Sequence, residues 1–196
     1  MRELGALAEA GIHPIGEMPF GIAWTDAAGT PGFVEGFADF HESAVAGWTP
    51  DGWTLNLLVW EGGALVGTQG VAAARFSAEH TVATGSWLGQ AYQRRGIGTE
   101  MRAAVLELAF ARLGAETATS GWLEGNDASR RVSAKLGYEV FEETTQSPRP
   151  GESVRSWNVR RERASWRSPV TVTVDSLAPC LPPAQWRRLF DGLAKL

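Results

Sequence analysis

The chain has 196 residues, of which 44% are hydrophobic and 20% charged, and a net charge of -4, the composition of an ordinary globular protein. The acidic balance gives no general attraction to nucleic acid or anionic membranes, and neither a long apolar stretch nor a signal-peptide pattern is present. We therefore expect a cytoplasmic protein that binds neither nucleic acid nor membranes. One cysteine and three scattered histidines give no metal-ligand spacing, so we also expect no metal site.

Two helices and three strands are predicted in the first half of the chain. Apolar residues at helical spacing predict helices over residues 2–10 and 31–46, and Pro31 suits a first-turn position. Three segments of strand-forming residues follow, at 53–60, 64–76 and 80–88. We expect these strands to form an antiparallel meander.

A strand-helix alternation is predicted in the second half. Residues 98–113 combine strong helix propensity with a broad apolar stripe, and Gly114 ends that pattern. The later elements are a strand at 116–123, a helix at 128–136, and strands at 138–145 and 153–161. Because a strand-helix-strand unit requires a parallel pair, we expect an α+β fold with a mixed sheet.

Residues 163–196 differ in character from the rest, and we expect them to form a C-terminal tail on one domain that spans residues 1–162. Strict alternation predicts an extra strand at 170–174, which we expect to pair with a sheet edge in its own subunit or in a partner's. Residues 184–196 have the composition of a short terminal helix.

The junction between the third strand and the long helix reads QRRGIGTE, at residues 93–100. A helix N-terminus carries unpaired backbone N–H groups and a partial positive charge, and glycine lets a large anion approach the backbone. Gly96 and Gly98 occupy the suitable positions, while Arg94 and Arg95 can add charge-assisted hydrogen bonds. The junction therefore predicts a phosphate or pyrophosphate site.

Two familiar glycine loops do not fit this junction. A P-loop needs a lysine after its last glycine, and none follows here. A dinucleotide-binding loop needs a third glycine at the position that Met101 occupies. The alternative without a ligand is a tight strand-to-helix turn whose arginines are solvated.

Gln93, Gly96 and Gly98 match the Q/R-x-x-G-x-G/A pattern of the pyrophosphate loop in the GNAT superfamily of acyl-CoA N-acyltransferases. The chain resembles this family further downstream, because the segment NDASRRVSAKLGYEV follows the family's Asn-headed helix that ends in Leu-Gly-aromatic. Asn126 and Ser129, together with GSWL before the loop, are most similar to the RimJ/RimL-like branch. Two motifs in the right order are more specific than either one.

The resemblance implies a GNAT fold: a mixed, mostly antiparallel sheet, splayed into a V and flanked by helices, with the pantetheine arm of acetyl-CoA between two strands. It also implies acetyl transfer to a primary amine, on a protein N-terminus or a small amine or amino acid, by direct attack without a metal. A homodimer is left open. The residues then expected to bind the coenzyme are Trp87, Leu88, Gln93, Arg94, Arg95, Gly96, Ile97, Gly98, Thr99, Asn126 and Ser129.

Two positions that matter for catalysis depart from the family pattern. Ser133 stands where many relatives carry a tyrosine that protonates the leaving thiolate, and Ala83 stands where RimL-like enzymes often carry a glutamate. We expect a backbone amide near Leu88 to polarise the thioester, with water or a carboxylate as the base. The catalytic candidates are Ser120, Glu124 and Ser129, with Glu17 and Glu35 near the expected substrate loops.

These departures leave alternatives open. The domain can bind coenzyme A in a regulatory or structural role without turnover, or transfer an acyl group larger than acetyl. The family also begins with a strand before its first helix, whereas this chain opens directly on the helical residues 2–10. Either the recorded start is late or another segment covers the exposed sheet edge.

Overall fold

Six strands form one sheet in the part of the chain that the computed structural model describes, residues 1–175. They are β1 (Gly52–Glu61), β2 (Ala64–Ala74), β3 (Thr81–Leu88), β4 (Thr117–Leu123), β5 (Glu139–Gln146) and β6 (Val154–Glu162). Their order across the sheet is β1-β2-β3-β4-β6-β5, and all neighbours are antiparallel except β3 and β4. The predicted α+β class and the mixed, mostly antiparallel sheet are confirmed.

Five α-helices accompany the sheet within residues 1–175. They are α1 (Arg2–Glu9), α2 (Phe33–Ala46), the short α3 (Phe76–Glu79), α4 (Ile97–Ala111) and α5 (Asp127–Lys135). The sequence predicts α1, α4 and α5 to within two residues at each end. α2 begins at Phe33 and not at Pro31, because Gly32 takes a left-handed conformation (φ 84°) and forms the N-cap.

The helices cover both faces of the sheet. Trp87 of β3 packs in one cluster with Phe37 of α2, whereas the next residue, Leu88, packs with Ile97 of α4. Because successive side chains of a strand point to opposite faces, α2 and α4 lie on opposite faces. The main core lies on the α4 face, where Leu106 and Ala109 are fully buried.

The parallel strands β3 and β4 separate after three residue pairs. Pairing runs only from Thr81 to Ala83 on β3 and from Thr117 to Thr119 on β4. Beyond Ala83 and Thr119 each strand keeps its outer neighbour, β2 or β6, but the two inner edges have no partner strand. The sheet therefore opens into a V at the carboxyl ends of β3 and β4, as the resemblance implies.

Within this chain, the strand predicted at 170–174 does not form. Residues 171–175 have no regular secondary structure and pair with no strand, and Val170 and Val174 instead pack against the core. Val172 and Val174 line a groove together with Leu108 of α4. The tail leaves from β6, whose two neighbours are already β4 and β5, so no free sheet edge lies beside it. The helix predicted at 184–196 lies outside the described residues.

Candidate functional site

The turn between β3 and α4 presents a row of free backbone donors. Arg94 (φ 61°) and Gly96 (φ 89°) both take left-handed conformations, and Gly96 is the N-cap of α4. The backbone N–H groups of residues 94–98 donate to no acceptor within residues 1–175. Successive free N–H groups at a helix N-terminus form a concave site for an anion. A left-handed arginine costs about 1 kcal/mol or more, and strain of this kind is concentrated at ligand sites.

The space in front of these donors fits a large anion. A Cβ built on Gly96 meets no atom within 4 Å, and one built on Gly98 comes no nearer than 3.7 Å, to Val132 Cγ2. Packing against the rest of the protein would therefore allow a side chain at either position. The positive φ of Gly96 favours glycine, and the open space beside both glycines lets a polyanion reach the backbone. A pyrophosphate fits this turn.

The three side chains before Gly96 differ in the contacts that they make. Gln93 Nε2 donates to the carbonyl oxygen of Leu88, at 2.9 Å, and to that of Ile12, so Gln93 fixes the shape of the turn. Arg95 Nη2 forms an ion pair with Glu61 Oε2 at 2.7 Å. Arg94 is exposed and forms no ion pair with any residue between 1 and 175. Among the described arginines of this turn, Arg94 therefore carries the charge that can contact an anion.

Hydroxyl groups close the narrow end of the V. Thr84 Oγ1 donates to the carbonyl oxygen of Thr119 at 3.0 Å, and Ser120 Oγ donates to the carbonyl oxygen of Thr84 at 3.0 Å. Tyr138 contributes its phenol oxygen, 3.2 Å from Thr84 Oγ1. These bonds fix the point at which β3 and β4 diverge, so the opening between the strands has a defined depth.

Beneath the opening lies a charged residue that sequence reasoning missed. Arg102 of α4 is 4% exposed, and its guanidinium donates to Ser120 Oγ at 2.7 Å, Ser86 Oγ at 2.9 Å and Gln69 Oε1 at 3.3 Å. The three acceptors lie on β4, β3 and β2 in turn. Ser86 and Ser120 lie past the last residues at which β3 and β4 pair with each other, so this cation spans the V on the α4 face.

Asn126 and Ser129 lie at the wide end of the V, beside β4. Asn126 caps α5, because its Oδ1 accepts from the backbone N–H of Ser129 at 3.1 Å, and its Nδ2 donates to the carbonyl oxygen of Pro19 at 3.3 Å. Ser129 Oγ donates to the carbonyl oxygen of Gly121 at 3.3 Å. The segment GSWL of β3 and the helix α5 of the second motif thus flank the same opening.

Glu124 and Ser120 are both held by arginines. Glu124 Oε1 accepts from Arg155 Nη2 at 2.5 Å, and this hydrogen bond lowers the pKa of the Glu124 carboxyl. A carboxylate with a lowered pKa is a weaker base. The oxygen of Ser120 accepts from Arg102 while its proton is given to Thr84. Their catalytic roles, and that of Ser129, stay predictions.

Of the other candidate acid and base positions, Ser133 is buried and Glu17 and Glu35 are exposed. Ser133 is 1% exposed and its Oγ has no hydrogen-bond partner within the described chain. It therefore cannot reach a ligand in the V. Glu17 is exposed and forms no ion pair in residues 1–175, and the exposed Glu35 lies 3.8 Å from Arg2.

The face of the V opposite α4 is open. Ala83, Gly85 and Gly121 are exposed there, so the inner strands present little side-chain bulk. Trp87 stands on the same face with its ring centroid 6.1 Å from that of Trp24. An acceptor molecule can approach the strands from this side, next to an aromatic wall.

The family model for the acetyltransferase (GNAT) domain matches residues 22–139. This match covers more than half of the chain, and the chain therefore belongs to the GNAT acetyltransferases. Membership agrees with the turn at the start of α4 and with the V between β3 and β4. No helix within residues 1–175 is long and apolar enough to cross a membrane, and no group of three or more metal-ligating side chains occurs there.

Solved structures share the fold. An N-acetyltransferase from Staphylococcus aureus Mu50 matches with a TM-score of 0.61 and 13% identity, covering 83% of this chain and 92% of that one. The putative acetyltransferase YncA from Salmonella typhimurium, solved with acetyl-CoA, matches at 0.59 and 17%, covering 87% and 94%. A ribosomal-protein-alanine N-acetyltransferase from Brucella melitensis matches at 0.54 and 18%, covering 66% and 78%. At these identities the likeness is one of fold.

Proposed function

We propose that this protein is an N-acetyltransferase that transfers the acetyl group of acetyl-CoA to a primary amine. The observation that carries the proposal is the row of free backbone N–H groups at residues 94–98, placed directly at the mouth of the V between β3 and β4. A pyrophosphate site joined to a slot between strand edges suits the shape of an acyl-CoA, whose pantetheine arm can bond to unpaired backbone groups.

The residues that would hold the coenzyme follow from this arrangement. Residues 94–98 would bind the pyrophosphate through their N–H groups, with the free charge of Arg94 adding to them. Trp87 and Leu88 on β3 would face the arm on one side, and Asn126 and Ser129 at the start of α5 on the other. Gln93 holds the turn that brings these parts together.

In the proposed reaction the amine attacks the thioester carbonyl carbon directly in a ternary complex. A carbon–nitrogen bond forms, the carbon–sulfur bond breaks, the thiolate leaves with the bonding electrons, and the amine gives up a proton. Placing the two reactants side by side supplies much of the acceleration. The backbone amide near Leu88 polarises the carbonyl, and water takes the proton, because Arg155 holds Glu124 as a weak base.

For the acceptor we propose an unhindered primary amine, either a protein N-terminus or a small amine or amino acid. Ala83, Gly85 and Gly121 leave the approach to the strands open on the face opposite α4. The similarity to RimJ/RimL-like sequences, and the ribosomal-protein acetyltransferase among the structures with this fold, favour a protein N-terminus as the first class to assay.

A second candidate function is a coenzyme A-binding domain without turnover. The observation that favours it is the burial of Ser133, which leaves the usual position of the thiolate-protonating tyrosine without a group that can reach the V.

Release of free thiol from acetyl-CoA, with a panel of peptides, amino acids and small amines, tests the proposal. Calorimetry with coenzyme A, run in parallel, separates the two candidates. Amine-dependent thiol release supports the transferase. Tight coenzyme A binding with no release from acetyl-, propionyl- or succinyl-CoA supports the non-catalytic domain, and failure to bind coenzyme A rules out both.

A further inference from the structure

Arg102 is a buried cation without a carboxylate partner. The residue is 4% exposed, and no Asp or Glu oxygen within residues 1–175 lies in ion-pair distance of its guanidinium. Burying an unpaired charge is expensive, and proteins normally offset the cost with a counter-ion. A neutral side chain could connect the same serines without this cost, so a merely structural bridge does not explain the charge.

The guanidinium also has unused donors. Of its five N–H groups, three are accounted for by the bonds to Gln69, Ser86 and Ser120. The position of the guanidinium indicates that the anion would lie in the slot between β3 and β4. Ser86 and Ser120 lie beyond the last residues at which β3 and β4 pair with each other, and both are partly exposed, so the cation lies directly below the slot between the strands.

Ser86 is the group through which this charge can act. Its oxygen accepts from Arg102 Nη2, and its own hydroxyl donates to no acceptor in the described residues. Ser120 differs, because its proton is already given to the carbonyl oxygen of Thr84. A hydroxyl whose oxygen accepts a charge-assisted hydrogen bond becomes a stronger donor. Ser86 thus places a polarised O–H group in the V that donates to no acceptor among residues 1–175.

We propose that the Ser86 hydroxyl donates a hydrogen bond to the sulfur of coenzyme A as it becomes a thiolate, and that Arg102 is the positioning residue that polarises this hydroxyl. The inference rests on the proposed function. In the transfer step the sulfur leaves with the electrons of the carbon–sulfur bond, Ser86 keeps its proton, and the thiolate takes a proton later from water. Ser86 and Arg102 would thus stabilise the leaving thiolate, which the buried Ser133 cannot reach.

Such a site stabilises a thiolate even when no acetyl transfer takes place. A positive charge near an acid lowers its pKa by about 1 to 3 units, so bound coenzyme A should ionise at lower pH than free coenzyme A. Its affinity should then rise with pH between the bound and the free thiol pKa, by about tenfold for each unit of difference. S-methyl coenzyme A cannot ionise, and its affinity should not show this rise.

The experiment is calorimetric titration of wild type with coenzyme A and with S-methyl coenzyme A, from neutral to alkaline pH. The ratio of the two affinities isolates the thiol, so general effects of pH on the pyrophosphate site cancel. Arg102→Met and Ser86→Ala should abolish the rise of this ratio with pH, and Arg102→Lys should restore part of it. Arg112→Met, an exposed change at the other end of α4, should behave as wild type.

The outcomes distinguish this inference from the proposed function. Wild type that binds neither ligand refutes the coenzyme A site itself. Wild type that binds both with a ratio independent of pH overturns the role of Arg102 and leaves the site intact. A ratio that rises equally in Ser86→Ala and wild type also overturns it. Succinyl-CoA binding that depends on Arg102, with no thiol effect, would overturn it in favour of an acyl carboxylate.

Discussion

Arg149 holds Asp26 through two hydrogen bonds, from Nε to Oδ2 at 2.6 Å and from Nη2 to Oδ1 at 2.8 Å. The pair joins the short 3-10 helix Trp24–Ala27 to the connection between β5 and β6. A backbone bond from Ala23 N to Pro148 O, 3.3 Å long, lies beside it. The same N-terminal segment is tied to the start of α5, where Asn126 donates to Pro19. These contacts hold that segment next to the wide end of the V.

Asp26→Asn should destabilise the protein in a pH-dependent way. The hydrogen bond from Arg149 lowers the pKa of the Asp26 carboxyl below its ordinary value of 3.8. A lowered pKa in the folded state means that the stabilisation is present above 3.8 and is lost as the pH falls through the folded value. Thermal unfolding from neutral to acid pH should show the melting temperatures of variant and wild type converging in acid.

Asp39→Asn is the matched control, because Asp39 is exposed and forms no ion pair within residues 1–175. It should leave the melting temperature close to that of wild type at neutral pH. A gap between Asp26→Asn and wild type that stayed constant down to strongly acid pH would contradict the assignment of the effect to this carboxylate.

Gly96→Ala should weaken coenzyme A binding by at least about tenfold, equal to roughly 1.4 kcal/mol. The new Cβ would occupy the open space in front of the N–H groups, and alanine disfavours the φ of 89°. Gly32→Ala is a close control, since Gly32 is the N-cap of α2 with φ 84° and an equally open Cβ position. Calorimetry should show unchanged affinity in this control. Equal losses in both variants would show that the effect does not arise at the turn before α4.

The order and type of the elements could be predicted from the sequence because local pattern and tertiary environment agree. In α4 the apolar stripe of the sequence is the face that is buried in the structure. In β3 and β4 the segments rich in strand-forming residues are the segments that form strands. The strand predicted at 170–174 does not form within this chain. The alternation of residues carries no information on whether a free sheet edge lies within reach of the segment. Trp60 shows the same limit: its residue type and its strand-forming neighbours are typical of a buried strand, but it lies on the edge strand β1 and is 52% exposed.

The coenzyme site was predictable as a motif, whereas the groups beneath it were not. Gly96 and Gly98 signal the turn through their spacing, which is a local property. Arg102 was overlooked although a signal existed, since it is a charged residue in register with Leu106 and Ala109 on the buried stripe. Its partners Ser86 and Gln69 lie on other strands, so only the folded arrangement brings them together.

Glu124→Gln should lower kcat far less than the roughly 100-fold loss that follows removal of a general base. The carboxylate is exposed, engaged by Arg155, and has a lowered pKa, so it is a weak base at neutral pH. Its pH-rate profile should match that of wild type. Glu143→Gln is the control, because Glu143 lies 3.7 Å from Arg155 on the other side of the same arginine. A large loss specific to Glu124→Gln would instead identify Glu124 as the base.

Trp166→Ala should destabilise the fold by about 3 kcal/mol or more, as the loss of a large buried side chain does. Trp166 is 8% exposed, packs with Phe110 at a centroid distance of 6.0 Å, and donates from Nε1 to Glu107 Oε2 at 2.9 Å. It therefore attaches the segment after β6 to α4. Trp60→Ala, at an exposed edge position, should cost at most about 1 kcal/mol. Urea unfolding of both variants measures the difference, and equal losses would show that the attachment contributes little.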